Sequence, residues 1–268
     1  MIGRRLVNGS ETAGIAADDR GLQYGDGLFE TMAAAGGRIR HLALHLARLE
    51  EGCRRLGMPM LAAGLVEDEC ARVLEGLGTG TVKLTVTRGP GPRGYRPPPE
   101  PSLTRIVVSS AARPRGDALP PLTVRICETR MGLNPALAGL KHLNRLEQVM
   151  ACAEWDDPAI GEGLMLSSDG RLVSATAANV FLVEAGRLVT PDIRDCGVAG
   201  VMRQVVLTAA AELALPHAIE DVHPDRLQFA EEVFVTNAVV GIRPVAQLVG
   251  GRRWEPGEVT RVLMAHTA

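Results

Sequence analysis

Gly132 to Ala153 reads G-L-N-P-A-L-A-G-L-K-H-L-N-R-L-E-Q-V-M-A-C-A, and the change of period across this stretch decides what kind of fold the chain makes. Just upstream, Leu122, Val124 and Ile126 alternate with Thr123, Arg125 and Cys127, the period-two pattern of a strand with one buried face. Within it, Leu143, Leu146, Val149, Met150 and Ala153 recur at helical spacing, with Arg145, Glu147 and Gln148 between them. A strand feeding a helix makes this a mixed α/β chain and puts Lys141 just before the helix or in its first turn. Lysines at helix starts are most often solvated surface residues. Here, however, the neighbours are Leu137, Ala138, Leu140 and Leu143. A lysine in apolar company loses its proton more readily, and a neutral amine is what a nucleophilic or Schiff-base lysine requires.

The 268 residues with 46% hydrophobic content are enough for one large domain or two small ones. A formal charge of −2 is not that of a general nucleic-acid binder, so the expected partner is a small molecule. Cys53, Cys70, Cys127, Cys152 and Cys196 are odd in number and scattered, which reads as buried free thiols in a reducing cytoplasm. No apolar run approaches the ~20 residues needed to span a bilayer, and the N-terminus shows no signal-peptide core. No metal-ligand set stands out, since His41 and His45 are four apart but lack a third ligand.

On the N-terminal side, Asp19 to Thr31, D-R-G-L-Q-Y-G-D-G-L-F-E-T, packs three glycines among charged and aromatic residues, allowing tight turns and close approach of another group. The simpler reading is a glycine-rich hairpin without a ligand. Leu42, Leu46, Leu49, Cys53 and Leu56 form the stripe of a helix over 42–56, with Arg48 beside it and, by default, solvated. Further helices are expected over 66–77 and from Gly197 through about Leu213, and strands over 81–87, 103–110 and 163–190. Arg88 to Arg96, R-G-P-G-P-R-G-Y-R, runs into Pro97, Pro98 and Pro99 and can only be a loop. Such a loop is either a surface linker or a clamp for carboxylates. Residues 112–121, rich in Pro, Arg and Gly, read as a linker between an N-terminal domain over 1–111 and a larger C-terminal one over 122–268 that carries Lys141. The glycines of G-V-A-G-V-M-R at 197–203 leave free amides at a helix start, a natural phosphate seat. A lysine in apolar surroundings, a phosphate seat and spare arginines are the parts of a pyridoxal-phosphate site.

The chain also closely resembles the fold-type IV pyridoxal-phosphate enzymes, from D-R-G-L-Q-Y-G-D-G-L-F-E at 19–30 to T-N-A at 236–238. Within that group, L-K-H-L-N-R-L-E-Q-V at 140–149 and R-G-x-G-x-R-G-Y at 88–95 resemble the 4-amino-4-deoxychorismate lyases. The resemblance implies two α/β domains with the cofactor in the cleft between them, and a cytoplasmic homodimer. It implies that Lys141 forms the imine with pyridoxal 5'-phosphate and moves the protons. Arg48, within H-L-A-R-L, would bind the cofactor phosphate, against the default of a solvated side chain. Val201 and Met202 would give backbone N–H groups to the same phosphate, helped by Asn237 and Ala238. Arg93, with Arg88, Tyr95 and Thr31, would face a substrate bearing two carboxylates. The implied reaction is β-elimination of pyruvate, giving 4-aminobenzoate.

One position departs from the family's pattern. A glutamate usually stands five residues before the asparagine of its N-x-F segment, opposite the cofactor's ring nitrogen, and counting back from Asn179 gives Ser174. A hydroxyl supports a protonated ring less than a carboxylate does, which is expected to favour elimination over transamination. Two other readings compete. One is a D-amino-acid or branched-chain aminotransferase of the same fold. The other is a non-catalytic cofactor-binding protein.

Overall fold

The computed structural model describes residues 2–111 and 119–268, and these divide into two compact units. The first holds the residues through 111 together with Leu140–Asn144, and the second holds 119–139 and 145–268. Most of the linker expected at 112–121 therefore lies outside the described residues.

The first unit is built on a five-stranded antiparallel sheet. In chain order it comprises β1 (Ile2–Val7), α1 (Arg20–Tyr24), β2 (Gly27–Ala35), β3 (Arg38–Ile39), α2 (Leu42–Leu56), α3 (Ala63–Leu74), β4 (Thr79–Thr87) and β5 (Thr104–Ala111). The strand order is β1-β5-β4-β2-β3. Leu28, Met32, Val82, Leu84, Val86 and Val107 point to one face and form a core with Leu49 and Cys53 of α2 and Val66, Cys70 and Val73 of α3. The alternate residues Phe29, Thr31, Thr81 and Thr85 are only partly buried and Lys83 is exposed, so this sheet has one packed face and one open one.

The second unit is built on an eight-stranded mixed sheet of order β11-β10-β9-β12-β13-β6-β7-β8. Its elements are β6 (Leu122–Met131), α4 (Leu146–Cys152), β7 (Ile160–Ser167), β8 (Leu172–Ala175), β9 (Asn179–Glu184), β10 (Arg187–Pro191), α5 (Val201–Glu212), β11 (His217–Glu220), a 3-10 turn at Pro224–Gln228, β12 (Glu232–Asn237), β13 (Gly241–Leu248) and α6 (Glu258–His266). One core cluster includes Leu164, Val180, Leu182, Val233 and Val245, and another packs Phe181 and Phe234 with Val206 and Ala209 of α5 and Leu263 of α6. The β6–β7 pairing shifts register between Ile126 and Arg130, which explains why the alternation read at 122–126 reverses and Cys127 and Met131 become buried instead.

Two expectations are corrected here. Helix α4 does not start near Lys141 but at Leu146, and its apolar stripe does not face the core: Leu146, Val149 and Met150 are 76%, 61% and 60% exposed, while Ala151 is the residue buried against Cys127, Met131 and Met165. Among the cysteines, Cys152 is exposed and the other four are buried; all five are free.

Candidate active site

The glycines of Asp19 to Thr31 bring the lysine segment against β2. Gly25 caps α1 with φ 65, and a Cβ there would stand 2.8 Å from Asn144 Oδ1. A Cβ on Gly27 would stand 2.4 Å from the Val86 carbonyl oxygen and 2.9 Å from Leu143 Cδ1. With both positions bare, Leu140–Asn144 lies antiparallel beside β2: the Phe29 N–H donates to the Lys141 carbonyl (2.9 Å) and the Leu143 N–H to the Gly27 carbonyl (3.0 Å). This pairing is why Lys141 groups with the first unit rather than with residues 122–268. Its Nζ sits 4.3 Å from the centroid of the Phe29 ring, and Lys83 Nζ lies 5.2 Å from the same centroid. Thr31 follows Phe29 on that face of β2 and is paired in register with Lys83.

Arg48 belongs to a buried cluster on the packed side of the same strand. Glu30, 2% exposed, accepts from His45 Nδ1 (2.6 Å) and from Arg48 Nε (2.8 Å), and Arg48 Nη2 closes a second bond to it. Burial by itself would raise the Glu30 carboxyl, but the hydrogen bonds from His45 and Arg48 outweigh it and hold the group below the usual range. Sequence reasoning missed Glu30 and His45. The available signal was a glutamate at the buried phase of a strand, between Leu28 and Met32, which demands a partner.

The arginine loop divides into buried and exposed parts. Arg88 is 4% exposed, and its Nε, Nη1 and Nη2 donate to Asp26 Oδ2 (2.8 Å) and to the carbonyls of Gly57 (3.0 Å) and Leu56 (2.8 Å). The fold uses Arg88 as a strut, with all three of its guanidinium nitrogens bonded to the protein. Arg93 and Tyr95 are exposed, Tyr95 at 85%.

In the second unit, α5 begins at Val201 behind Gly200, which caps it without a side-chain bond. A Cβ on Gly200 would fall 2.0 Å from Asn179 Oδ1, and Asn179 Nδ2 donates to the Val198 carbonyl (3.0 Å), so Asn179 holds the approach to the helix. The side chains of Val201 and Met202 are buried, and their N–H groups belong to the first turn, whose amides have no acceptor within the helix. Asn237 Oδ1 instead accepts from Val239 and Val240 (both 3.0 Å), closing the turn that contains Ala238. Ser174 is buried on β8 and donates to the Ala175 carbonyl (2.9 Å). Each set fits one end of pyridoxal phosphate taken by itself: an amine held on a ring for the aldehyde, and uncapped helix amides behind a glycine for the phosphate.

Comparison with known proteins bears on this directly. The family model for amino-transferase class IV matches residues 27–248. The chain is 33% identical over 242 residues to an aminodeoxychorismate lyase of Vibrio harveyi, covering 90% of this chain and 89% of that one. It is 30% identical over 260 residues to a putative branched-chain-amino-acid aminotransferase of Methanocaldococcus jannaschii, covering 94% and 89%. Among solved structures, 4-amino-4-deoxychorismate lyase from Pseudomonas aeruginosa superposes with a TM-score of 0.90 at 48% identity, covering 97% of both chains.

Proposed function

Since the chain belongs to the class IV amino-transferase family, we propose that it is a pyridoxal-phosphate-dependent lyase that eliminates pyruvate from 4-amino-4-deoxychorismate to leave 4-aminobenzoate. The observation that carries this reading is the 48% identity to a lyase across 97% of the chain, against 30% for the aminotransferase. When bound, pyridoxal phosphate supplies an aldehyde that captures the substrate amine and a ring that accepts electrons.

The chain's own residues do the rest. Lys141 would hold the cofactor through Nζ, and as a free amine that nitrogen would take the proton from the substrate carbon bearing nitrogen. The bond from the adjacent carbon to the enolpyruvyl oxygen would then break as the six-membered ring becomes aromatic, and the enolate that leaves would become pyruvate by taking up one proton, which the protonated Lys141 can return. The Phe29 ring lies against this amine, its centroid 4.3 Å from Nζ. In the first unit, Arg48, steadied by Glu30, is the side chain offered to phosphate. In the second, the amides of Val201 and Met202 are offered to it, with Ala238 in the neighbouring turn of Asn237, and Ser174 stands for the ring nitrogen. Arg93 and Tyr95 present the cation and the phenol for the substrate's carboxylates, with Thr31 on the sheet face.

The reading extends to a homodimer working in the cytoplasm, so sedimentation of the intact protein should give twice the chain mass of 28.5 kDa. No helix among the described residues is long and apolar enough to cross a membrane. The deciding experiment incubates wild type and Lys141→Ala with aminodeoxychorismate and follows 4-aminobenzoate. Wild type should release it and the variant should be slower by roughly 10³-fold. Amino transfer to 2-oxo acids without 4-aminobenzoate would replace the reading with an aminotransferase, and bound cofactor without either turnover would replace it with a non-catalytic protein.

A further inference from the structure

The loop that carries Arg93 and Tyr95 is rich in glycine and proline and exposed, yet its backbone is fixed from below by one buried cation. Arg20 opens α1 and is 3% exposed. Its Nε donates to Asp26 Oδ2 (2.8 Å), its Nη1 to the carbonyls of Gly94 (3.0 Å) and Arg96 (3.4 Å), and its Nη2 to the carbonyl of Tyr95 (2.8 Å). Its own N–H donates to the Gly89 carbonyl (2.9 Å) at the start of the loop. The guanidinium lies 5.0 Å from the Tyr24 ring centroid; that ring meets Tyr95 edge-on at 5.4 Å, and the Tyr24 hydroxyl accepts the Gly94 N–H (3.2 Å). Asp26, shared between Arg20 and Arg88, balances the buried charge.

Three successive carbonyls on one rigid planar fork restrain the backbone at 94–96. A lysine, a point charge on a flexible stem, cannot reproduce that. The residues so fixed flank or include the two exposed groups offered to a dianion, and ordering a flexible loop at binding would otherwise weaken affinity. We infer that Arg20 is a positioning residue for substrate recognition: it holds the 94–96 backbone so that Arg93 and Tyr95 meet a carboxylate in a preset arrangement. This rests on the lyase reading for the identity of the substrate, though not for the geometry of the loop.

The test uses the holoenzyme with Arg20→Lys, Tyr24→Phe and Arg93→Ala, and reads kcat, KM and amide exchange at 93–96. Arg20→Lys should raise KM about 10-fold with kcat within about twofold, and should speed exchange at 94–96. In an Arg93→Ala background the same substitution should add less than about twofold, because the group it positions is gone. A fully additive KM effect, a kcat that falls in step with the rise in KM, or faster exchange with KM unchanged would each overturn the inference. Should Arg20→Lys not fold, Tyr24→Phe removes only the acceptor of the Gly94 N–H and should raise KM about threefold with faster exchange; no change in either would equally overturn it. If wild type releases no 4-aminobenzoate, the lyase reading falls on its own, and Arg20 is then read by exchange and by calorimetric binding of chorismate, a dicarboxylate without the amine, with the same dependence on Arg93 expected.

Discussion

Lys141 owes its position to residues that carry no charge. Gly25 and Gly27 make room for its segment and Phe29 supplies the ring under its amine, so the amine is placed by shape and kept close to an apolar face. Arg48 is the opposite case, an arginine placed by charge. Glu30 is buried among apolar neighbours and holds Arg48 and His45 together, so removing the carboxylate leaves a buried cation without its counter-ion. Glu30→Gln should lower stability by about 3 kcal/mol in urea unfolding at neutral pH. On the proposed lyase reading, Ser174 bears on reaction choice rather than stability. Its hydroxyl is satisfied by the Ala175 carbonyl and offers a protonated cofactor ring no counter-charge. Ser174→Glu should raise the rate of amino transfer to 2-oxo acids relative to release of 4-aminobenzoate, and parallel assays showing neither rate changed would refute that role.

At the scale of elements, α5 places its first-turn amides by means of a residue that is absent as a side chain. Gly200 has ordinary helical-entry geometry, with φ −66, so an alanine there is not strained in the backbone; the obstacle is Asn179. Gly200→Ala should push Asn179 off the Val198 carbonyl and weaken cofactor retention about 10-fold, the worth of about one hydrogen bond, as read by titrating the absorbance of bound pyridoxal phosphate. The glycines before this helix were legible in the sequence, as was α2, whose stripe from Leu42 to Leu56 ends at Gly57 in the left-handed region. Other features were not. Periodicity located a helix after Lys141 but could not tell that Leu146, Val149 and Met150 face outward, because a pattern gives a stripe and not what covers it. The segment around Lys141 pairs with Gly27 and Phe29, and the partners of His45 and Arg48 lie 15 and 18 residues away on β2. Contacts of that range leave no local signature. The glycine-rich stretch 19–31 likewise concealed a helical turn, α1, which carries the buried Arg20.

For the whole molecule, both units hold carboxylates below their ordinary values, but Asp169, Asp192 and Asp221 of the second are more exposed than Glu30 and Asp26 of the first, so their ion pairs are more screened and the two units are unequal towards acid. In the first unit, Glu30 and Asp26 are both held below their ordinary values of 4.5 and 3.8: burial opposes this in each case, and the hydrogen bonds from His45 and Arg48, or from Arg88 and Arg20, prevail. A carboxylate depressed on folding contributes stability that is fully present above its unfolded value and is lost as pH falls through its folded one. The stability of the first unit should therefore be level from about pH 7 to 5.5 and decline below about 4.5. Both tryptophans, Trp155 and Trp254, belong to the second unit, whereas strands of both units contribute to far-ultraviolet circular dichroism. Acid titration in moderate urea should consequently show ellipticity falling at a higher pH than tryptophan emission shifts. Glu30→Gln, already destabilised, has one fewer proton to take up, so its difference from wild type should shrink as pH drops below about 4. Coincident transitions by the two probes in both proteins would mean that the acid response is shared by the units and not set by the Glu30 and Asp26 clusters.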